Sequence, residues 1–131
     1  MLPTYDTFKA HLKSKLQVPD EYYYYGERWA SVHHARMRIG CSKLNSDLCY
    51  NLHVINNPTC QCGAPSETSY HYLFECPLFA NERVTMFNTI SHITRITLKV
   101  LLFGKSELTL DQNQTIFEAV HTFIKSTQRF N

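Results

Sequence analysis

The chain has 131 residues, 44% hydrophobic and 18% charged, which suits one domain with a modest core. Its net charge of +2 excludes a polycation that coats nucleic acid indiscriminately. Apolar runs such as Val100 to Phe103 are far shorter than the roughly 18 residues needed to span a bilayer, so a soluble protein with no membrane partner is expected.

In chain order, Tyr5, Phe8, Leu12 and Leu16 recur at helical spacing, predicting an amphipathic helix from Thr4 to Leu16 that Pro19 and Asp20 end. Tyr22 to Tyr25 are four consecutive aromatics that cannot share one helix face, so two are expected to pack inward and two to cover the surface. A second helix is predicted from about Glu27 to Arg38, with Gly40 closing its C-terminus. Between Arg28 and Ser46 stand four cations, Arg28, Arg36, Arg38 and Lys43, together with His33 and His34 and no acid before Asp47. This is a local basic strip. A third helix is predicted from near Ser42, with Leu44, Leu48 and Leu52 as its buried face and Asn45, Ser46 and Asp47 as competing caps. Asn56, Asn57 and Pro58 signal a loop.

The next segment carries the chemistry. Cys60, Cys62, His71 and Cys76 are spaced C-x-C-x8-H-x4-C. Three thiolates and an imidazole can fill a tetrahedral zinc site of the structural kind, with no position left open for catalysis. Cys60-Gln61-Cys62 reads as an extended strand end, which would point both sulfurs to the same side. Gly63 suits the sharp turn beneath them, and Ala64-Pro65 continues it. Ser66 is the predicted cap of a helix that carries His71, with Glu67 at its positive end. Pro77 stops that helix, which places Cys76 at its exit and Pro77 at the start of the next one, with Leu78, Phe79, Met86, Phe87 and Ile90 as an apolar stripe.

From Ser91 to Val100 the pattern mixes helix and strand spacing and predicts an irregular segment or a short helix. A final helix is expected to be capped by Asp111, with Gln114 in the capping-box position and a core face of Ile116, Phe117, Val120, Phe123, Ile124 and Thr127. The expected architecture is a mainly α, small helical domain with a zinc-stapled turn or short β-hairpin, a zinc knuckle, set between helices. Residues 1–131 form a single domain in this reading: a basic helical part (1–58), the knuckle with its following helix (59–90) and a C-terminal helical part (91–131). Five cysteines, an odd number, and no charged-then-apolar leader predict a reducing intracellular compartment, nuclear or cytoplasmic, with thiolates held for metal.

The stretch from Ala35 to Ile90 resembles the C-terminal region of reverse transcriptases from non-LTR (LINE-like) retrotransposons. The residues that carry the likeness are Arg36-x-Arg38-x-Gly40, the Leu44-Asn45 step, the Cys60, Cys62, His71, Cys76 knuckle and its Glu75-Cys76-Pro77-x-Phe79 exit, with Leu101-Leu102-Phe103-Gly104 downstream. The resemblance implies one structural Zn2+ on the four knuckle residues and nucleic-acid contacts at Arg36 and Arg38. It places such a domain downstream of a polymerase that copies RNA at a nicked DNA target. The chain departs from a complete enzyme of that kind. It has no Asp-Asp pair for two magnesium ions, and no phosphate-cradling G-x4-G-K-S/T loop, H-E-x-x-H motif or nuclease carboxylate cluster. The spacing also differs from the C-x2-C-x4-H-x4-C of retroviral knuckles.

The functional expectation is therefore a zinc-stabilised binding module without an active site. Arg28, Arg36, Arg38 and Lys43 are its candidate contacts to RNA or to single-stranded or nicked DNA, with Trp29 or the tyrosines stacking on bases. Arg36 and Arg38 are two apart and cannot share a helix face, so one of them can instead support the fold. The alternative is a structural zinc module that docks on a reverse transcriptase body through its apolar helices. Cys49 and His53 are four apart but lack a further ligand pair, Cys41 reads as a free thiol, and His33 and His34 as surface or packing residues.

Overall fold

The computed structural model describes residues 26–131; the helix predicted over Thr4 to Leu16 and the tyrosine run lie outside them. The described residues are mainly helical, with no strand among them. The first helix, α1, is Arg28–Arg38. Gly40 ends it at φ +73, and its N–H donates to the Met37 carbonyl (3.3 Å) while that of Cys41 reaches the Arg36 carbonyl (2.9 Å). This pair of bonds satisfies two of the helix's last carbonyls and needs a left-handed residue, which glycine supplies without steric cost.

The predicted third helix is shorter and wider than its leucine spacing suggests. It contracts to a π-helical turn, Asp47–Asn51, in which the Leu52 N–H reaches back five residues to the Asp47 carbonyl (2.9 Å). Leu44 is fully buried ahead of it. Asp47 does not cap the turn. Its carboxylate instead receives the Ser42 N–H (3.1 Å) and hydroxyl (2.6 Å), tying the turn to the chain leaving α1.

A second π-helical turn, His71–Glu75, is followed by a 3-10 turn, Pro77–Phe79, and by α2, Ala80–Ile90. Cys76 sits between them in extended backbone (φ −62, ψ 120), as its place before a proline demands. The segment from 91 to 97 is irregular, and α3, Leu98–Phe103, starts where the Thr97 hydroxyl accepts the Val100 N–H (3.2 Å). The last helix, α4, is Leu110–Thr127. Its cap is Thr109, paired in a capping box with Gln112, two residues ahead of the Asp111 and Gln114 expected. Starting there still puts Ile116, Phe117, Val120, Phe123 and Ile124 in the core, all buried, because the apolar stripe and not the choice of cap fixes the helix phase.

One apolar cluster joins Met37 of α1, Leu44, Tyr72, Leu73, Met86 and Ile90 of α2, Leu101 of α3 and the inner face of α4. Where α1, α3 and α4 meet, the cluster contains polar groups. His34 Nε2 lies 2.7 Å from the Leu101 carbonyl; a carbonyl only accepts, so this nitrogen carries the proton. Nδ1 is then an acceptor, met by Arg38 Nη2 (2.9 Å) and His121 Nε2 (3.1 Å). Arg38 also donates to the Leu102 carbonyl and lies over the Phe117 ring (4.8 Å). Burial foremost, and then the Arg38 charge, hold both histidines neutral. The His121 pKa is lowered to about 4 and that of His34 well below its ordinary value.

These histidines make the fold acid-sensitive. An unfolded histidine takes up its proton near pH 6.5, whereas the folded His121 resists until about pH 4. Between these values the unfolded state binds more protons, so stability is fully present above pH 6.5 and is lost as pH falls toward 4. Denaturant unfolding across this window should show that slope, and His121→Gln should make it shallower by about one proton. An equal slope in the variant would assign the acid sensitivity elsewhere.

Candidate metal centre

Cys60 and Cys62 lie on a turn closed by the Gly63 N–H to the Cys60 carbonyl and by the Cys60 N–H to the Ala64 carbonyl (2.9 Å each). The strand end and short hairpin expected here are absent; the chain reverses within four residues, with Gly63 at φ +101. The turn still aims both sulfurs inward. His71 comes from the helical segment that faces it. The cap of that segment is Thr68, whose hydroxyl accepts the His71 N–H (3.0 Å), and not Ser66. Cys76 closes the set from the extended residue before Pro77.

The four ligand atoms all lie within 4.8 Å of one another. Zinc–sulfur bonds of about 2.3 Å at tetrahedral angles separate two sulfurs by roughly 3.8 Å, and a sulfur from an imidazole nitrogen by roughly 3.5 Å. Cys60 and Cys76 Sγ are 3.7 Å apart, and Cys62 Sγ is 3.3 Å from His71 Nε2. This Cys3His group can hold one metal ion. It is the only group of three or more metal-ligating side chains found among the described residues. Cys49 is half-buried and His53 is exposed at φ 54, and neither joins it.

Protonation chemistry couples any cation bound here to proton release. Burial pushes the Cys60 thiol up to about 12 and raises that of Cys76, while the Ala64 N–H lowers that of Cys62. Two buried thiols that resist ionisation become ligands when a metal displaces their protons.

The surroundings hold the ligands in place. His71 Nδ1 is 3.5 Å from the exposed Glu75 Oε1, four residues on, while its Nε2 faces Cys62 Sγ. Arg83 of α2 is buried and donates to the carbonyls of Leu73 (2.9 Å), Tyr72 (3.1 Å) and Cys76 (2.9 Å), satisfying the end of the His71 segment and fixing the exit on which Cys76 sits. Behind Cys60 lies Glu67, 3.9 Å from its sulfur and only 2% exposed. Arg129 grips this carboxylate with two bonds (2.8 and 2.6 Å), and the Asn45 N–H adds a third (2.9 Å). Glu67 was expected at a helix N-terminus; it is instead half of a buried ion pair. Glu75 stands at i+4 from His71 and could have been found by that spacing. Glu67, Arg83 and Arg129 carry no local signal.

The basic strip divides. Arg28 and Lys43 are exposed, Arg36 is half-buried, and the three line one groove with Trp29, Val32 and His33. Arg38 does not belong to it. Two residues from Arg36 is about 200° around a helix, and Arg38 is only 5% exposed, committed to His34 and the α3 carbonyl. His33 and His34 are both packing residues: His33 stacks on Phe130 (4.7 Å, 6°) and meets Trp29 edge to face (4.7 Å). Cys41 is a half-buried thiol whose pKa is raised by burial.

Fold and site together define a class, a small and mainly helical domain closed by a Cys3His group able to hold one metal ion. Compared with family profiles, curated proteins and solved structures, the chain matches none. No helix among the described residues is long and apolar enough to cross a membrane.

Proposed function

We propose that this chain is a zinc-stabilised nucleic-acid-binding module of the kind that follows the polymerase in non-LTR retrotransposon reverse transcriptases, without an active site of its own. Zinc is the ion that the ligand chemistry favours, since three thiolates and an imidazole make a soft tetrahedral set. The observation that carries the binding reading is the groove. Arg28, Arg36 and Lys43 come together there with an indole, and none of the described residues that line it is acidic, a combination suited to phosphates and bases.

The test is a filter-binding titration of RNA and DNA oligonucleotides at several salt concentrations. Affinity should fall steeply with salt. The combined variant Arg28→Gln, Arg36→Gln, Lys43→Gln should bind more weakly across all sequences, with the salt slope reduced by about two. A variant that retains metal and helicity yet binds as the wild type does would overturn the reading. The competing function, docking on a reverse transcriptase body, draws support from Leu78 and Val84, which are 50% and 58% exposed. It gains if nucleic acid fails to bind.

A further inference from the structure

The shape of the groove selects among nucleic acids. We infer that it takes single-stranded nucleic acid and seats one unpaired base against Trp29; this rests on the binding function proposed above. Arg28, Val32 and Arg36 follow one another at i, i+4 and i+8 along α1, which places the two cations on a single stripe about 12 Å apart with an apolar side chain between them. Trp29 and His33 form the neighbouring stripe, also at i and i+4. Lys43 closes the groove from the segment after α1. The wall is thus cation, apolar, cation beside an aromatic row.

A duplex presents phosphates and sugars to such a wall and keeps its bases stacked inside, so Trp29 and Val32 would meet nothing they favour. A single strand offers a π face between its phosphates. The platform is rigid as well. Trp29 is half-buried and braced edge to face by His33, which is held flat on Phe130. Phe130 packs in turn against Tyr72 (5.4 Å) in the core. Arg129, gripping Glu67, also donates to the Lys43 carbonyl (3.2 Å), so the opposite side of the groove is fixed too. An aromatic surface that loses little freedom on binding keeps more of its stacking energy.

The experiment uses the zinc-loaded full chain and four probes of equal length: single-stranded RNA, single-stranded DNA, an abasic strand that keeps the phosphates, and a blunt duplex. Trp29 is the only tryptophan, so its own fluorescence reports occupancy. The base-bearing strands should quench it and bind roughly 5- to 150-fold more tightly than the abasic strand, the range that one stacked base supplies. Measured by filter binding, since both variants lack the fluorophore, Trp29→Ala should abolish that preference and Trp29→Phe should keep most of it. The two base-bearing strands separate a ribose preference from stacking alone. If the wild type binds all four probes equally and with strong salt dependence, base stacking is overturned while the binding function stands. If it binds none of them, the binding function itself falls.

Discussion

Removing the metal should leave the domain largely unfolded. A structural zinc site supplies on the order of 10 kcal/mol or more at neutral pH, against a total stability of about 5–15 kcal/mol for a typical domain. The structure shows why so little would remain. Residues 52–68 contain no helix or strand, and the bonds that shape them include the Cys60 turn and the Glu67 N–H to the Pro58 carbonyl (2.8 Å). Cys60 and Cys76 are buried with sulfur facing sulfur, an arrangement with little to hold it once no cation joins them. Elemental analysis should find one zinc per chain. Chelation, or Cys76→Ser, should abolish both the metal and most of the helical circular dichroism, while Cys49→Ser should change neither. An intact fold without bound metal would refute the assignment.

The next largest effect is expected at Arg129. Glu67 is almost wholly buried, and two of its hydrogen bonds come from this one guanidinium. Truncating one partner of a buried ion pair strands the other charge away from water and costs about 3–5 kcal/mol. Arg129→Ala in saturating zinc should lose stability by that amount in denaturant unfolding. The double variant Glu67→Gln, Arg129→Met should recover much of it, because no orphan charge is left. A loss below about 1 kcal/mol in the single variant would show that water reaches Glu67 and that the pair is a surface contact in practice.

The parts of this molecule that sequence reading recovers are those decided locally. The Cys3His spacing anticipated which four side chains converge, Cys76 before Pro77 anticipated its extended backbone, and the apolar phase of α4 anticipated its buried face. Cap positions slipped by two residues at Thr68 and Thr109 because hydroxyl and carboxylate residues crowd both starts. Any of them can accept an N–H, and packing of the following stripe selects the one used. The leucines at 44, 48 and 52 have helical period, yet Asp47 is drawn back to Ser42 and the turn widens. The offset between Arg36 and Arg38 indicates that one of them can support the fold but not which; burial of the Arg38 guanidinium depends on acceptors such as the Leu102 carbonyl, far off in sequence. The Glu67–Arg129 pair is invisible for the same reason, its members being 62 positions apart.

That separation also sets an order of assembly. All four candidate ligands fall within a short span of chain, so a nascent polypeptide could capture an ion once Cys76 is free, before α4 has been made. Closing so small a loop costs little entropy. The arginine that shields the far side of Cys60 arrives only after another fifty residues, with the helix that completes the core. Chelation would therefore come first, and the latch after it. Early in synthesis the ion would be held by an open loop and exposed to competing thiols, and arrival of Arg129 would seal it in.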